Sequence, residues 1–228
     1  MSNPKPTFVL IPGAWHPAEI YSATETLLQA HGYPTRALQL PSVGAVPAHE
    51  DWSEDVRVIR KCLRALIEEE GKEVVVVAHS VNGLTGSEAV QGLGAQEREK
   101  GGVLRMVYLM ALAMPNSLAT VTPTDARHVF YNDLPDPEAQ HWTSLLRHQS
   151  EGVYTTPVTH AAWRHIPSTY LIGTEDKSSI TRELVDYMIG QEAPNAIDTV
   201  ETCEGGGHCF MIGRAEWLAG ALRRAAGE

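Results

Sequence analysis

The most constraining feature of this 228-residue chain is a run of four valines, residues 74–77, that leads directly into a tight turn. Consecutive β-branched residues of this kind predict a strand that is buried on both faces, as in a parallel sheet. The turn at residues 78–83 reads Ala-His-Ser-Val-Asn-Gly, and a helix-compatible segment follows it. The chain is therefore expected to carry Ser80 on a sharp strand-to-helix turn, with its hydroxyl above the carboxyl edge of the sheet.

A serine on such a turn forms a nucleophile elbow, in which the hydroxyl is presented to substrate at the end of a buried strand. Taken alone, Ser80 is equally compatible with an ordinary turn serine or a helix N-cap. The four valines before it and Gly83 after it favour the elbow. The sequence therefore predicts that Ser80 is a nucleophile.

Outside this turn, segments with strand-like and helix-like patterns alternate along the chain. Helical spacing is found in residues 18–30, 51–70 and 180–191, and again after the elbow. This alternation predicts an α/β fold with a doubly wound, mostly parallel sheet flanked by helices. Six strands are predicted, at residues 7–11, 36–40, 74–77, 103–110, 169–173 and 197–203.

Residues 115–167 interrupt the alternation, because they are rich in Pro, Thr, His and aromatic residues and lack a strong strand pattern. We interpret them as a small, mainly helical cap over the active-site edge, inserted into a core formed by residues 1–114 and 168–228. Phe130 and Trp142 can either line a pocket or hold the cap on the core, whereas packing is favoured for Trp163.

Composition and charge argue against several classes of partner. The chain has 18 basic and 28 acidic residues and a net charge of −10, whereas nucleic acids and anionic membranes require a basic face. No apolar stretch is long enough to span a bilayer, and the amino terminus has no secretory signal pattern. The three cysteines, Cys62, Cys203 and Cys209, are sparse and indicate reduced thiols. These features predict a cytoplasmic protein that acts on a small molecule.

Two further residues are candidates for the acid and the base that a serine nucleophile requires. In an open parallel sheet, ligands bind beyond the carboxyl ends of the strands. Asp176 follows the predicted strand 169–173, and His208 follows the predicted strand 197–203 after three glycines. A serine hydroxyl needs an imidazole to take its proton, and a carboxylate holds that imidazole in one tautomer. The order Ser80, Asp176, His208 suits this chemistry on an α/β sheet.

The oxyanion that forms during acyl transfer needs preorganised donors, which are commonly backbone N–H groups. We expect these donors to be the N–H groups of Val81, directly after the nucleophile, and of Ala14, in the loop after the first strand. Gly13 allows that loop to approach the substrate closely. Trp15, in the same loop, is a candidate for substrate contact.

Alternative roles remain open for several of these residues. Asp176 can instead cap the next helix, and Glu175 is a rival for the acid. His208 can be an ordinary surface histidine, although the glycines before it argue against that. His79 precedes the nucleophile and is expected to face away from substrate in a structural role. A packed, inert thiol is favoured for Cys209.

Signals for a metal or a nucleotide cofactor are weak. The glycines at residues 205–207 lack the Lys-Ser/Thr that completes a phosphate-binding loop, and no Gly-x-Gly-x-x-Gly follows the first strand. His and Cys residues occur without metal-ligand spacing. No metal site is therefore predicted.

Taken together, four motifs resemble those of the α/β-hydrolase superfamily: residues 8–16, 78–83, 174–176 and 207–208. They look most like the compact branch that holds plant methyl-ester esterases and hydroxynitrile lyases, and the resemblance covers nearly the whole chain. It implies a triad of Ser80, Asp176 and His208, an oxyanion hole from the N–H groups of Ala14 and Val81, about six parallel strands and no cofactor.

The chain departs from that pattern at several positions. The elbow of the family commonly reads Gly-His-Ser-x-Gly-Gly, whereas Ala78 and Asn82 replace two of these glycines here. Asn82 can tilt the helix, or point into the pocket and bind substrate. The resembling lyases carry a Thr in the first loop and a Lys after the catalytic His, and Gly13 and Cys209 stand at these positions. Hydrolysis is therefore favoured over cyanide release.

The sequence predicts a serine hydrolase that cleaves a small carboxylic ester or lactone through an acyl-enzyme. One alternative is a non-hydrolytic or C–C bond-cleaving enzyme, of lyase, retro-Claisen or cyclase type, on the same scaffold. Another is a ligand-binding receptor with a vestigial site. A homodimer is compatible with the sequence but not specified by it.

Overall fold

Six parallel strands form a single sheet in the computed structural model, which describes residues 4–114 and 125–228. The strand order is β2-β1-β3-β4-β5-β6, so that β2 and β3 lie on opposite sides of β1 and the order in which strands are added reverses between β1 and β3. This order confirms the predicted doubly wound α/β fold, and it places the ligand-binding crevice beyond the carboxyl ends of the central strands. The strands are β1 (Thr7–Ile11), β2 (Thr35–Ala37), β3 (Glu73–His79), β4 (Gly102–Leu109), β5 (Ser168–Gly173) and β6 (Ile197–Cys203).

The valine run lies in β3, at the centre of the sheet. Val76 pairs with Val9 on one side and with Met106 on the other, and all four valines are fully buried. Burial on both faces explains why a continuous apolar run is found here in place of an alternating one.

Helices flank the sheet and pack against one another in pairs. Each helix buries an apolar face in doing so. Helix α1 (Ser22–Ala30) packs against α8 (Ala215–Ala225), and α2 (Ser53–Arg64) packs against α3 (Asn82–Ala89). The remaining helices are α4 (Ala126–Phe130), α5 (Asp136–Leu145), α6 (Arg182–Tyr187) and α7 (Phe210–Gly213).

Three predicted helices differ from the observed ones at their ends. The predicted helix 18–30 begins as a 3-10 turn, Ala18–Tyr21, before α1. The predicted helix 51–70 continues beyond α2 as a π-helical turn, Ala65–Glu69. The predicted helix 180–191 begins later, at Arg182, because the Thr181 hydroxyl accepts a hydrogen bond from the Leu184 N–H and caps α6. The predicted strand 36–40 is shorter and ends at Ala37, at an edge of the sheet.

The connection from β4 to β5 contains the predicted cap, of which residues 115–124 lie outside the described residues. Residues 125–167, which we call the insertion, contain α4, α5 and two short 3-10 turns. The insertion contacts the first loop, since the Gln149 side chain accepts from the Trp15 N–H and the Arg147 N–H donates to the Trp15 carbonyl.

The described part of the chain contains neither a membrane-crossing helix nor a metal-binding cluster. None of its helices is long and apolar enough to cross a bilayer. Within residues 4–114 and 125–228, no group of three or more His, Cys, Asp and Glu side chains is arranged to hold a metal ion.

Candidate active site

Ser80 stands directly after β3 in a backbone conformation that non-glycine residues rarely adopt. Its φ is +59°, in the left-handed region. Neighbouring segments hold it there, because the Ser80 N–H donates to the Leu109 carbonyl at 3.2 Å and the Ser80 carbonyl accepts from the Gly83 and Leu112 N–H groups. Strain of this kind persists only where the surroundings enforce it, and it is found preferentially at functional sites.

The structure brings Ser80, His208 and Asp176 into one hydrogen-bonded line. Nε2 of His208 lies 3.0 Å from Oγ of Ser80, and Nδ1 of His208 lies 2.7 Å from Oδ2 of Asp176. The side chains of His208 and Asp176 are only 2% and 4% exposed. A carboxylate can only accept, so Nδ1 carries the proton and Nε2 is left to accept from the serine hydroxyl. This is the arrangement that a serine nucleophile requires.

The carboxyl group of Asp176 is held in its charged form. Burial raises the pKa of Asp176, but the charge and hydrogen bond of His208 and a hydrogen bond from the Ser178 N–H outweigh burial, so the pKa lies below its ordinary value. The rival acid Glu175 is exposed, and its carboxylate lies near Lys177. Asp176 is therefore the carboxylate that contacts the imidazole.

The loop after β1 approaches Ser80 through Gly13. A Cβ atom on Gly13 would lie 2.7 Å from Nδ1 of His79 and 3.0 Å from Cβ of Ser80, so only glycine fits. The Gly13 N–H donates to His79 Nδ1 at 3.1 Å, and Gly13 does not line the pocket described below. The Gly13 amide is therefore engaged within the protein, and the structure supports a role for Gly13 in permitting this close approach, whereas contact of Gly13 with substrate stays a prediction.

The N–H groups of Ala14 and Val81 remain available beside Ser80. Neither donates a hydrogen bond to any described residue. Val81 lines the pocket next to Ser80, and Ala14 follows the glycine that contacts Cβ of Ser80. Two unpaired backbone donors next to a nucleophile are suited to stabilising an oxyanion.

His79 connects the two loops that meet at Ser80. Its Nδ1 accepts from the Gly13 N–H, so its proton is on Nε2, which lies 3.0 Å from the His208 carbonyl. Burial, reinforced by the nearby histidines, holds the pKa of His79 well below its ordinary value, and the ring stays neutral. These contacts agree with the structural role predicted for His79.

His16 connects the first loop to the insertion. Its Nδ1 lies 2.6 Å from the Ala14 carbonyl and donates to it, and the Tyr131 hydroxyl donates to its Nε2 at 2.9 Å. Burial lowers the pKa of His16 to about 3, so the ring is neutral. The Cys209 thiol, 3.4 Å from the same Nε2, is fully buried, and burial raises its pKa well above the ordinary value.

A small, mainly apolar cavity of about 60 Å³ opens onto Ser80 and His208. Trp15 and Phe130 line it, as expected for substrate-contacting residues. Apart from the elbow residues and His208, the sequence analysis did not identify the other described lining residues. Ser178, Ser179 and Ile180 follow Asp176 beyond β5, so their position in the chain offered a signal, whereas Val129 and Tyr154 had none. The described lining consists of Trp15, Ser80, Val81, Leu112, Val129, Phe130, Tyr154, Ser178, Ser179, Ile180, Leu184 and His208.

Two residues predicted to bind substrate are placed elsewhere. Asn82 is 2% exposed, and its Nδ2 donates to the Pro12 carbonyl at 2.8 Å while its Oδ1 accepts from the Thr85 hydroxyl. Its amide therefore ties the start of α3 to the first loop and does not reach the pocket. Trp142 lies half-buried on α5, packs against His141 and is not among the lining residues. The structure therefore places neither side chain at the described cavity, contrary to what substrate binding by Asn82 and Trp142 would require.

A doubly wound parallel sheet with a serine at a strained strand-to-helix turn defines a class of α/β enzymes that act through an elbow nucleophile. Comparison with known families agrees with this class. The model of the alpha/beta hydrolase family matches residues 8–221, and the chain belongs to this family of hydrolase enzymes.

Similar proteins cover almost the whole chain. The alpha/beta hydrolase nvfD from Aspergillus novofumigatus is 32% identical over an alignment of 250 positions, which covers 98% of this chain and 98% of nvfD. A methylesterase from Arabidopsis, MES16, shares the fold with a TM-score of 0.77 and 20% identity over 96% of this chain and 98% of its own. Tomato methylketone synthase I, solved with 2-tridecanone, shares the fold with a TM-score of 0.74 and 19% identity, over 97% of this chain and 98% of its own.

Proposed function

We propose that the protein is a serine hydrolase that cleaves a small carboxylic ester or lactone. The observation that carries this proposal is the continuous line from Ser80 Oγ to His208 to Asp176, with separations of 3.0 and 2.7 Å. The apolar cavity beside it suits a short acyl group. A fold shared with a methylesterase supports an ester as the substrate.

In the first half of the reaction, the Ser80 oxygen attacks the ester carbonyl while His208 Nε2 takes the hydroxyl proton. The carbonyl oxygen becomes an oxyanion, which the N–H groups of Ala14 and Val81 stabilise. Asp176 stabilises the imidazolium that forms. When the tetrahedral intermediate collapses, the bond to the alkoxide breaks and His208 returns its proton to the leaving alcohol.

In the second half, water hydrolyses the acyl-enzyme. His208 removes a proton from the water, which attacks the acyl carbonyl and passes through a second oxyanion at the same donors. The bond to Ser80 Oγ breaks, and Oγ recovers the proton from His208. The products are the carboxylic acid and the alcohol, or a hydroxy acid when the substrate is a lactone.

The test is hydrolysis of p-nitrophenyl acetate and butyrate by the wild type and by Ser80→Ala. We expect wild-type turnover, and a loss of at least about a thousandfold in kcat for the variant. Ser144→Ala, which removes an exposed hydroxyl on α5, is the control and should keep full activity. Thermal unfolding checks that both variants fold.

Retained activity in a folded Ser80→Ala variant would contradict the mechanism. If a folded wild type turned over no ester, product analysis with other carbonyl substrates would distinguish the two alternatives. New products would favour a non-hydrolytic or C–C bond-cleaving reaction, whereas binding without products would favour a receptor.

The cytoplasm is the proposed location, and a homodimer is the proposed assembly to be tested. Free thiols at Cys62, Cys203 and Cys209 are compatible with a reducing compartment. Sedimentation of the purified protein tests whether two copies associate.

A further inference from the structure

The backbone groups around the Ala14 N–H are hydrogen-bonded within the protein, whereas no described residue accepts from this N–H. The Gly13 carbonyl accepts from the His16 N–H at 3.4 Å, and the Ala14 carbonyl accepts from Nδ1 of His16 at 2.6 Å. The Trp15 N–H donates to the Gln149 side chain at 3.2 Å. Ala14 is buried, and buried N–H groups are nearly always paired. This N–H is therefore expected to pair with an acceptor that the substrate supplies.

Two side chains of the elbow hold the peptide group that joins Pro12 to Gly13. Nδ2 of Asn82 donates to the Pro12 carbonyl at 2.8 Å, and the Gly13 N–H donates to Nδ1 of His79 at 3.1 Å. Both polar ends of this peptide group are therefore bonded to residues that flank Ser80. Only the φ and ψ angles of Gly13 separate it from the peptide group that carries the unpaired N–H.

The Asn82 side chain is oriented for this contact and for no contact with substrate. Glycine adopts a wide range of backbone conformations, so Gly13 alone does not fix the direction of the N–H that follows it. Oδ1 of Asn82 accepts from the Thr85 hydroxyl at 2.9 Å, which turns Nδ2 towards the first loop. Asn82 is not among the residues that line the described cavity. An effect of Asn82 on the reaction must therefore pass through the loop.

We propose that Asn82 is a positioning residue, which aims the Ala14 N–H at the oxyanion by holding the Pro12 carbonyl. This inference rests on the proposed ester hydrolysis and adds a residue that acts on its transition state through the first loop. The carbonyl oxygen becomes negatively charged only as the tetrahedral intermediate forms, so the aim of the donor matters most there. The elbow that this chain resembles commonly has glycine at the position of Asn82, and glycine has no side chain to make this bond.

The first test is hydrolysis of p-nitrophenyl butyrate by the wild type, Asn82→Ala and Asn82→Gly. Each variant loses the donor to Pro12, and the glycine variant restores the residue that is common in similar elbows, so it is compatible with the turn. We expect kcat to fall about tenfold in both, with KM within about twofold of the wild type. The loss is smaller than the hundredfold or more, roughly, that removal of an oxyanion donor itself costs.

Propylboronic acid, which matches the acyl group of butyrate, examines the oxyanion site without turnover. Oγ of Ser80 adds to the boron, its proton passes to His208, and the tetrahedral boronate carries the negative charge. Because this adduct resembles the tetrahedral intermediate, Asn82→Ala should raise the inhibition constant by about the factor by which kcat/KM falls. A role in stability alone would lower the melting temperature and leave the inhibition constant of the folded variant unchanged.

Ser87→Ala is the matched control on the same helix. The buried Ser87 hydroxyl bonds to the Gly83 carbonyl at 2.7 Å and to the Tyr108 hydroxyl at 2.8 Å, and not to the first loop. This variant should lower the free energy of unfolding but keep kcat and the inhibition constant of propylboronic acid. An equal fall in kcat for Ser87→Ala and Asn82→Ala would overturn the inference.

The outcome for Asn82 can be told apart from the outcome for ester hydrolysis. If the wild type hydrolyses esters through Ser80 while the folded Asn82 variants keep kcat and boronate affinity, the inference is refuted and hydrolysis stands. If the wild type hydrolyses no ester, calorimetric titration with propylboronic acid decides. Binding that requires Ser80 and weakens in Asn82→Ala would support the positioning role and refute hydrolysis. Binding that does not depend on Asn82, or no binding, would overturn the inference.

Discussion

At the scale of single residues, the site depends on two strained positions. Ser80 and Trp15 have φ angles of +59° and +65°, and each such conformation costs about 1–3 kcal/mol. Hydrogen bonds with Leu109 and Leu112 hold the conformation of Ser80. Hydrogen bonds with Gln149 and Arg147 of the insertion hold the conformation of Trp15. Because this support comes from distant segments, the strain at Trp15 could not be predicted from the local sequence.

The sequence located side chains well where the topology of the sheet sets their place, and poorly where distant side-chain partners set it; the catalytic roles of Ser80, Asp176 and His208 stay proposals. Ser80, Asp176 and His208 each follow a strand of one parallel sheet, so topology alone brings them to the same edge. Asn82 was expected to bind substrate, but the Pro12 carbonyl lies within reach of its amide. The partner comes from a loop 70 positions away in the sequence, and no local pattern indicates that contact.

His16 gives a prediction about pH and stability. Its pKa is about 3 in the folded protein, whereas an unfolded histidine has a pKa of about 6.5. Between pH 6.5 and pH 3, His16 binds a proton in the unfolded state but not in the folded state. Lowering the pH below 6.5 therefore favours the unfolded state and reduces the free energy of unfolding. The loss amounts to about 2 kcal/mol at pH 5.

His16→Gln removes this titration. The free energies of unfolding of the variant and the wild type should therefore lie closer together at acid pH than at pH 8. At pH 8 the variant should be less stable, because it loses contacts with Ala14 and Tyr131. By pH 5 the difference in unfolding free energy should have shrunk by about 2 kcal/mol, as measured by urea denaturation. A difference that is constant from pH 8 to pH 5 would contradict the assignment of a neutral, buried ring.

At the scale of elements, the strands were predicted better than the helix ends. Long apolar runs mark β3 and β4 clearly, whereas α2 and α6 continue into π-helical turns, Ala65–Glu69 and Met188–Glu192. Such turns preserve the apolar spacing approximately, so periodicity does not show where the α-helix stops. Trp142 was a candidate for lining the pocket, but the sequence does not show which face of α5 is turned towards it. The orientation of α5 is set by its packing within the insertion, against α4.

Helix α3 approaches the segment that follows β4 so closely that Gly83 is required. A Cβ atom on Gly83 would lie 2.3 Å from the Leu112 carbonyl oxygen, and the Leu112 N–H bonds to Ser80. Gly83→Ala is therefore expected to destabilise the protein by about 2 kcal/mol or more and to reduce kcat by displacing Ser80. Urea denaturation and hydrolysis of p-nitrophenyl acetate measure these two effects.

Gly190→Ala is the control for this substitution, because the added methyl group would meet no atom within 4 Å beyond its chain neighbours and the adjoining helix backbone. It should leave stability and kcat nearly unchanged. Similar behaviour of the two variants would contradict the importance of close packing at α3.

At the scale of the whole molecule, the insertion contacts three of the segments that carry the proposed chemistry: the first loop and the loops of Asp176 and His208. Asn132 donates to the Glu175 carbonyl, next to Asp176, and Asp133 accepts from the Gly207 N–H, next to His208. Tyr131 holds His16, and Gln149 holds Trp15. The insertion therefore supports the loops that carry Asp176 and His208 of the proposed triad.

Asp133 provides the test of this positioning role. Asp133→Ala leaves the Gly207 N–H without its acceptor, so we expect kcat for p-nitrophenyl acetate to fall about tenfold with little change in KM. Asp133→Asn retains an acceptor oxygen and should restore most of kcat. Equal kcat values for the alanine variant and the wild type would mean that the His208 loop holds its geometry without the insertion.

The contacts of the insertion also limit how this enzyme can evolve. Exchange of the whole insertion for that of a relative would remove the supports of the first loop and of the loops that carry Asp176 and His208 at once, so a chimaera is expected to lose turnover before it gains a new specificity. Single replacements at Val129, Phe130 or Tyr154 alter the cavity wall and spare those supports. New substrate ranges on this scaffold should therefore arise by small steps along the cavity wall and not by recombination.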